Sequence, residues 1–265
     1  MRESKVAKIR VVPLLMILAV VFGILYGIEE QFYVFRLKHI EVVPRSSLLE
    51  KEASKLAGGS ASRFWPLVFF EYKHLKNEVE KKYPIQISMK ADGWGKVVLQ
   101  WTQLQPYFAV RWRDRKWFIT TTGLCWPESN PLWKDGGIDN PSYNELNIVW
   151  DNTMPPLVPD IDSTNLIEVR QSIFPVRTMV KFIEEMHQTP WVEKIRGIAL
   201  SKLAGDIVAD VSFASLGRDV NILLEFSESI WKRLSPAIET IVKSSDVNVL
   251  YLDATYKDKI VIKTR

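Results

Sequence analysis

A chain of 265 residues with 47% hydrophobic and 25% charged side chains can bury one to three cores, and it is not disordered, collagen-like or a polytopic membrane protein. The single cysteine, Cys125, excludes an internal disulfide or a thiolate zinc cage, and three histidines (His39, His74, His187) leave little for a His-rich metal site. The formal net charge of +4 raises a nucleic-acid reading, but Arg2, Lys5, Lys8 and Arg10 against Glu3 supply three of those four charges. The rest is nearly balanced and offers no footprint for a polyphosphate.

The basic tail, residues 1–10, is followed by an uncharged run from Val11 to Ile28. As a helix this run is about 27 Å long, near the roughly 30 Å of a bilayer's hydrocarbon core, which predicts a transmembrane helix over 11–28. It is longer than the apolar part of a signal peptide and is followed by Glu29-Glu30-Gln31 without a small-residue cleavage site. Arg2, Lys5, Lys8 and Arg10 act as topology determinants that keep the N-terminus in the cytoplasm and export the remainder.

Val34 to Val43 reads as a strand ended by Pro44. Ser47 and Glu50 form a capping-box pattern that opens a helix running to Gly58-Gly59. A second helix follows Pro66 and presents Val68, Tyr72, Leu75 and Val79 on one side. Two alternating runs about Asp92-Gly93 predict a hairpin. Strand, helix, helix and hairpin define a compact α+β module over 35–104.

Tyr107–Trp112 and Lys116–Thr120 read as a strand pair, Cys125–Asp162 as loop with a short strand at Leu146–Trp150. A helix begins at Pro175 with Val176, Met179, Val180, Ile183 and Met186 on one stripe. Strand-like runs follow at Val192–Leu200, Ile207–Phe213 and Val220–Phe226. Ile230, Leu234, Ile238 and Ile241 mark another helix, re-entered at Pro236, and Val247–Ala254 and Lys259–Lys263 close the chain as strands. These elements predict a second, larger antiparallel β-rich module with two helices over 105–265.

Catalytic signatures are thin. The sequence contains no P-loop, G-x-G-x-x-G, G-x-S-x-G or H-E-x-x-H pattern. Glu184 and His187 give one E-x-x-H on a helix, better read as a solvated face than as half of a metal site. Cys125, between Leu124 and Trp126, reads as a buried thiol. Among the ten tryptophans, Trp94, Trp101, Trp112, Trp117 and Trp126 fall in or beside strands and are expected to pack there, whereas Trp133 and Trp150 are the better surface candidates for contact with a sugar polymer.

The layout resembles the FtsQ/DivIB family of bacterial cell-division proteins, in which the first module is a POTRA domain and the second a β domain. Leu37–Val43 is similar to the family's first strand, with Pro44-Arg45 where a turn glycine is usual. Gln103-Leu-Gln-Pro106 resembles the family's step between domains, with Gln103 and Leu104 in place of Glu and Arg. Trp117-Phe-Ile-Thr-Thr-Thr-Gly123 resembles the following hairpin, with Thr120 at an Asp position. Tyr251-Leu-Asp-Ala-Thr-Tyr256 and Ile260-Val-Ile262 are similar to the last two strands, with Thr255 replacing Arg.

The resemblance implies a non-enzymatic bitopic scaffold at the division septum of the cytoplasmic membrane, without cofactor, small-molecule substrate or nucleic acid. It implies partners of the FtsB/FtsL type and leaves self-association of the first module open. A POTRA-containing adaptor in secretion or outer-membrane assembly, and a tethered wall-binding protein, are the alternatives. The final strand ends the chain at Arg265 and, if it lies at a sheet edge, offers unpaired backbone groups to a partner strand. The candidate contacts are Leu252, Ala254, Tyr256, Lys259, Ile260 and Ile262; the competing reading is an edge merely shielded by Lys257, Lys259 and Lys263.

Overall fold

The computed structural model of the chain describes residues 4–32, 35–59, 64–134, 144–170, 172–256 and 259–263. The chain divides into two compact units, Met1–Glu80 with Ile85–Thr102, and Lys81–Pro84 with Gln103–Arg265.

The first helix, α1, spans Ser4–Phe32, with Pro13 in its interior rather than its first turn. Its described side chains run from Pro13 to Ile28, and all are exposed. The expected transmembrane helix is corrected by this finding: among the described residues, no helix is long and apolar enough to cross a membrane. Arg2 lies outside the described residues, as do the side chains of Lys5, Lys8 and Arg10.

The first module follows the expected order: β1 (His39–Val43), α2 (Ser47–Gly58), α3 (Val68–Lys82), β2 (Ile85–Ala91) and β3 (Lys96–Gln103). Its three-stranded sheet has the order β1-β3-β2, with β1 parallel to β3. A parallel pair needs a long crossover, and α2 and α3 lie within it. Leu49, Ala53 and Leu56 on α2, Leu75 and Val79 on α3, and Val97, Leu99 and Trp101 on β3 are buried. The cap of α2 is Ser46 rather than Ser47: its hydroxyl accepts from the Leu49 amide, satisfying one free donor of the first turn.

Between β2 and β3 the chain turns through Gly93 and Gly95, both at positive φ. Gly95 is the constrained one. Its carbonyl accepts the Lys38 amide at 2.7 Å, and an added Cβ would lie 2.7 Å from the Arg36 carbonyl oxygen, whereas Gly93 faces open space.

The second module is built on a ten-stranded sheet. Its strands are β4 (Phe108–Trp112), β5 (Arg115–Ile119), β6 (Leu124–Pro127), β7 (Asn144–Trp150), β8 (Ile167–Glu168), β9 (Lys194–Leu203), β10 (Asp206–Ser215), β11 (Arg218–Glu225), β12 (Val249–Ala254) and β13 (Val261–Lys263). Their order across the sheet is β13-β12-β11-β10-β9-β7-β4-β5-β6-β8. The expectation of an antiparallel sheet is corrected here: β4–β7, β7–β9 and β11–β12 are parallel pairs.

The helices supply the connections that parallel pairs require. Besides the short α4 (Pro131–Lys134), α5 (Val176–His187) lies between β7 and β9, and α6 (Ile230–Ser244) lies between β11 and β12. Both pack into one core on one face of the sheet, where the Phe182 ring stands 6.0 Å from Trp231. α6 runs unbroken through Pro236 instead of restarting there. The core is aromatic, with Trp117, Trp150, Trp231, Phe108, Phe174 and Phe213 almost wholly buried. Each contributes about 2–3 kcal/mol by leaving water.

The glycine geometry gives a direct test. Gly95→Ala should destabilise the protein by about 1–2 kcal/mol or more, because it adds left-handed strain to a backbone clash. Gly93→Ala should incur only the strain. Urea unfolding of the two variants should therefore rank Gly95→Ala well below Gly93→Ala.

Candidate partner-binding edge

The ten-stranded sheet ends differently on its two sides. On one side β8 contributes only two residues, Ile167 and Glu168, paired to Cys125 and Leu124 of β6. On the other side lies β13, antiparallel to β12, with Tyr251 opposite Lys263, Leu252 opposite Ile262 and Asp253 opposite Val261. Among the described residues no strand pairs with the outer side of β13.

Alternation of side chains sorts the candidate residues into two roles. Leu252 and Ala254 point into the core and are 3% and 6% exposed, so they support the edge and cannot touch a partner. Directly opposed residues of an antiparallel pair share a face, which puts Ile262 on the core side with Leu252. With no strand beyond it, Ile262 is nevertheless 49% exposed. Ile260, two residues earlier, is half-buried against the core. Tyr256 is half-exposed after β12, and the Lys259 ammonium stands 5.1 Å from its ring centroid. The structure thus brings Tyr256, Lys259 and Ile262 to the surface of this corner. Lys257 and Asp258 lie outside the described residues.

The residue that pins the edge was not among the candidates. Asp253 is buried, and one of its carboxylate oxygens accepts the Thr255 amide at 3.2 Å and the Thr255 hydroxyl at 2.7 Å, an Asx turn that ends β12. Its other oxygen accepts the Lys263 ammonium at 3.2 Å, tying β13 to β12. Burial pushes this carboxyl upward, but the Thr255 hydroxyl and amide together with Lys263 outweigh it and hold it below the ordinary carboxylate value. The Asp-x-Thr spacing was a readable turn signal; the bond to Lys263 was not.

Other chemical candidates resolve into packing. Cys125 is fully buried on β6, and burial pushes its thiol up to about 12, too high for a nucleophile near neutral pH. Glu184 faces the Tyr107 hydroxyl; burial first, and then this carboxylate, raise the phenol above its usual value. Among the described residues no group of three or more His, Cys, Asp or Glu could hold a metal ion. Trp150 was expected at the surface but is 1% exposed, with Nε1 donating to the Pro155 carbonyl and its ring 5.0 Å from Phe174. The Trp133 side chain lies outside the described residues. Trp94, expected to pack in the sheet, is 53% exposed in the turn before β3.

The first module closes one of its own edges. The outer strand β2 has the Ile87 amide donating to Glu80 Oε1 at 2.9 Å, and its carbonyl accepting the Tyr72 hydroxyl at 2.7 Å. At Ile87, in the middle of this edge, both backbone groups are thus taken by side chains of α3.

No family model matches the chain, and no curated protein matches it.

Two outcomes follow from these environments. Because the Asp253 carboxyl is depressed in the folded state, its contribution is complete above the ordinary value near 3.8 and is lost as pH falls through the lower folded value. Thermal unfolding of the wild type should therefore fall more steeply below pH 4 than that of Asp253→Asn, which should already be less stable at pH 7. An aromatic disulfide reagent at pH 8 should leave Cys125 unmodified in the native protein and titrate one thiol after denaturation.

Proposed function

We propose that the protein is a non-enzymatic scaffold of the bacterial cell-division machinery, whose second module captures a partner by adding a strand at β13. The observation that carries this reading is the edge itself. β13 closes one end of a ten-stranded sheet, and its apolar Ile262 is half-exposed on the same face as the buried Leu252. An added strand would satisfy the outward amides and carbonyls of β13 and extend the core past Ile262. The resemblance of the first module's element order and of Tyr251–Tyr256 with Ile260–Ile262 to the FtsQ/DivIB family supports the divisional setting. It also supports partners of the small FtsB/FtsL coiled-coil type.

Backbone pairing would supply affinity on this reading, and the side chains around it would supply selection. Ile262 favours an apolar partner residue beside it, while Lys259 over Tyr256 favours an acidic one near the turn. Lys263 is already committed to Asp253, so it contributes to the edge's rigidity more than to its charge. Self-association of the first module, or its docking to another divisome protein, belongs to the same proposal.

Ile262→Asp places a charge where the added strand must pack and leaves the folded core intact. It should weaken partner co-purification by about tenfold or more while the circular dichroism spectrum is unchanged. Ile260→Pro, which removes a backbone donor next to β13, should act in the same direction. Undiminished capture by both variants would rule out strand addition. A fluorescent fusion of the full chain should form a mid-cell band, whereas a uniform cell outline would favour the envelope-adaptor alternative.

A further inference from the structure

Among the described residues, the first module carries a second surface that its own core does not use. Phe35, Phe64, Trp65, Phe69 and Trp94 form a connected cluster of rings. Phe35 stands 5.8 Å from Phe64 and 5.6 Å from Trp94, and Trp65 stands 6.0 Å from Phe69 and 5.9 Å from Trp94. The cluster is built by backbone constraints rather than by burial. The Trp65 amide donates to the Phe35 carbonyl at 2.7 Å, and the tight approach of Arg36 to Gly95 holds Trp94 beside them. Three of these rings are nonetheless largely in the open, Phe64 at 43%, Phe69 at 38% and Trp94 at 53%, and Phe70, next to Phe69 on α3, is 78% exposed.

Exposed rings in mutual contact differ from singly scattered surface hydrophobics and call for an occupant. Two features of the chain define that occupant. Phe35 comes seven residues after Ile28, the end of the sixteen consecutive uncharged and exposed side chains of α1, so the patch and the most apolar part of the protein are neighbours in the chain. Around the rings, Arg36, Lys38, Lys73 and Lys96 are exposed, against Glu71 and Asp92, which leaves an excess of positive charge. Indole and phenyl rings edged with basic side chains match the headgroup boundary of an anionic bilayer, where rings reach the acyl region and ammonium groups meet phosphate.

We infer that this aromatic patch docks the first module on an anionic lipid surface. The docking requires only that Phe69, Phe70 and Trp94 enter the interface, and it does not depend on partner capture at β13. A protein surface, including a second copy of this chain, is the competing occupant.

The test uses the full chain with Phe70→Cys, whose exposed position should not disturb folding, labelled with the environment-sensitive fluorophore NBD. Cys125 does not compete for the label, because it is buried and its thiol is pushed up to about 12. On adding vesicles of phosphatidylcholine with phosphatidylglycerol, the emission should rise at least about twofold and shift to the blue, and 5-doxyl lipid should quench it. The same label at Trp94→Cys should respond alike. Emission that ignores the spin-labelled lipid while aqueous iodide quenches it would overturn the inference. A label shielded from both reagents would overturn it in favour of a protein occupant.

Discussion

Two parallel pairings, β7 with β9 and β11 with β12, govern most of what the second module presents to its surroundings. A parallel neighbour cannot be reached by a tight turn, so each pairing demands a connection long enough to return along the sheet. α5 and α6 lie in those connections, and both pack on the same face. Their buried stripes, with Phe182 of α5 against Trp231 and Phe226, close the core over the middle of the sheet. The helical cover is therefore a consequence of strand order. It also thins out at the last strand, because β13 follows β12 antiparallel and brings no helix of its own. Ile262 is half-exposed for that topological reason, although it belongs to the face that is buried at Leu252.

Edges are managed differently in each module. In the first, the Glu80 carboxylate and Tyr72 hydroxyl occupy the polar groups of Ile87, and burial raises the Tyr72 phenol above its usual value, so that it stays a neutral donor. In the second, one edge strand, β8, has only two residues, while β13, with three, is held in place by the Asp253–Lys263 bond. Of these three edges, β13 is the one that is both braced and open on its outer side among the described residues. Bracing matters for recognition: a strand held in register loses less conformational entropy on pairing than a frayed one.

The order of elements was legible because alternation, Gly turns and helical stripes are local. Met179, Ile183 and Met186 repeat at helical spacing, and Val97, Leu99 and Trp101 at strand spacing, and each proved to be buried. Features that depend on distant partners were not legible. Nothing in the local pattern of β7 says that it lies between β4 and β9, so the sheet was expected to be antiparallel. Trp150 sits among Asn, Asp and Pro, which reads as surface, but Phe174 and the Pro155 carbonyl enclose it. Trp94 erred in the opposite direction, because the adjacent Gly95 turn, not the strand pattern, decides where its ring goes. At the candidate edge the exposed residues were readable, whereas the fastening through Asp253 depends on a lysine ten residues away.

The two proposed surfaces ask for different kinds of recognition. An edge strand recognises a partner mainly through backbone, so many sequences can pair with it, and discrimination falls to the few side chains alongside, here Ile262, Tyr256 and Lys259. An aromatic patch recognises an environment rather than a sequence, and it restricts where the module resides rather than what it binds. Surface restriction raises the effective concentration of anything confined to the same plane, which lets a short edge capture a partner that it would bind weakly from solution. A three-residue strand such as β13 is a poor trap by itself. Its usefulness depends on the partner being brought near it, and that is the work a docked first module would do.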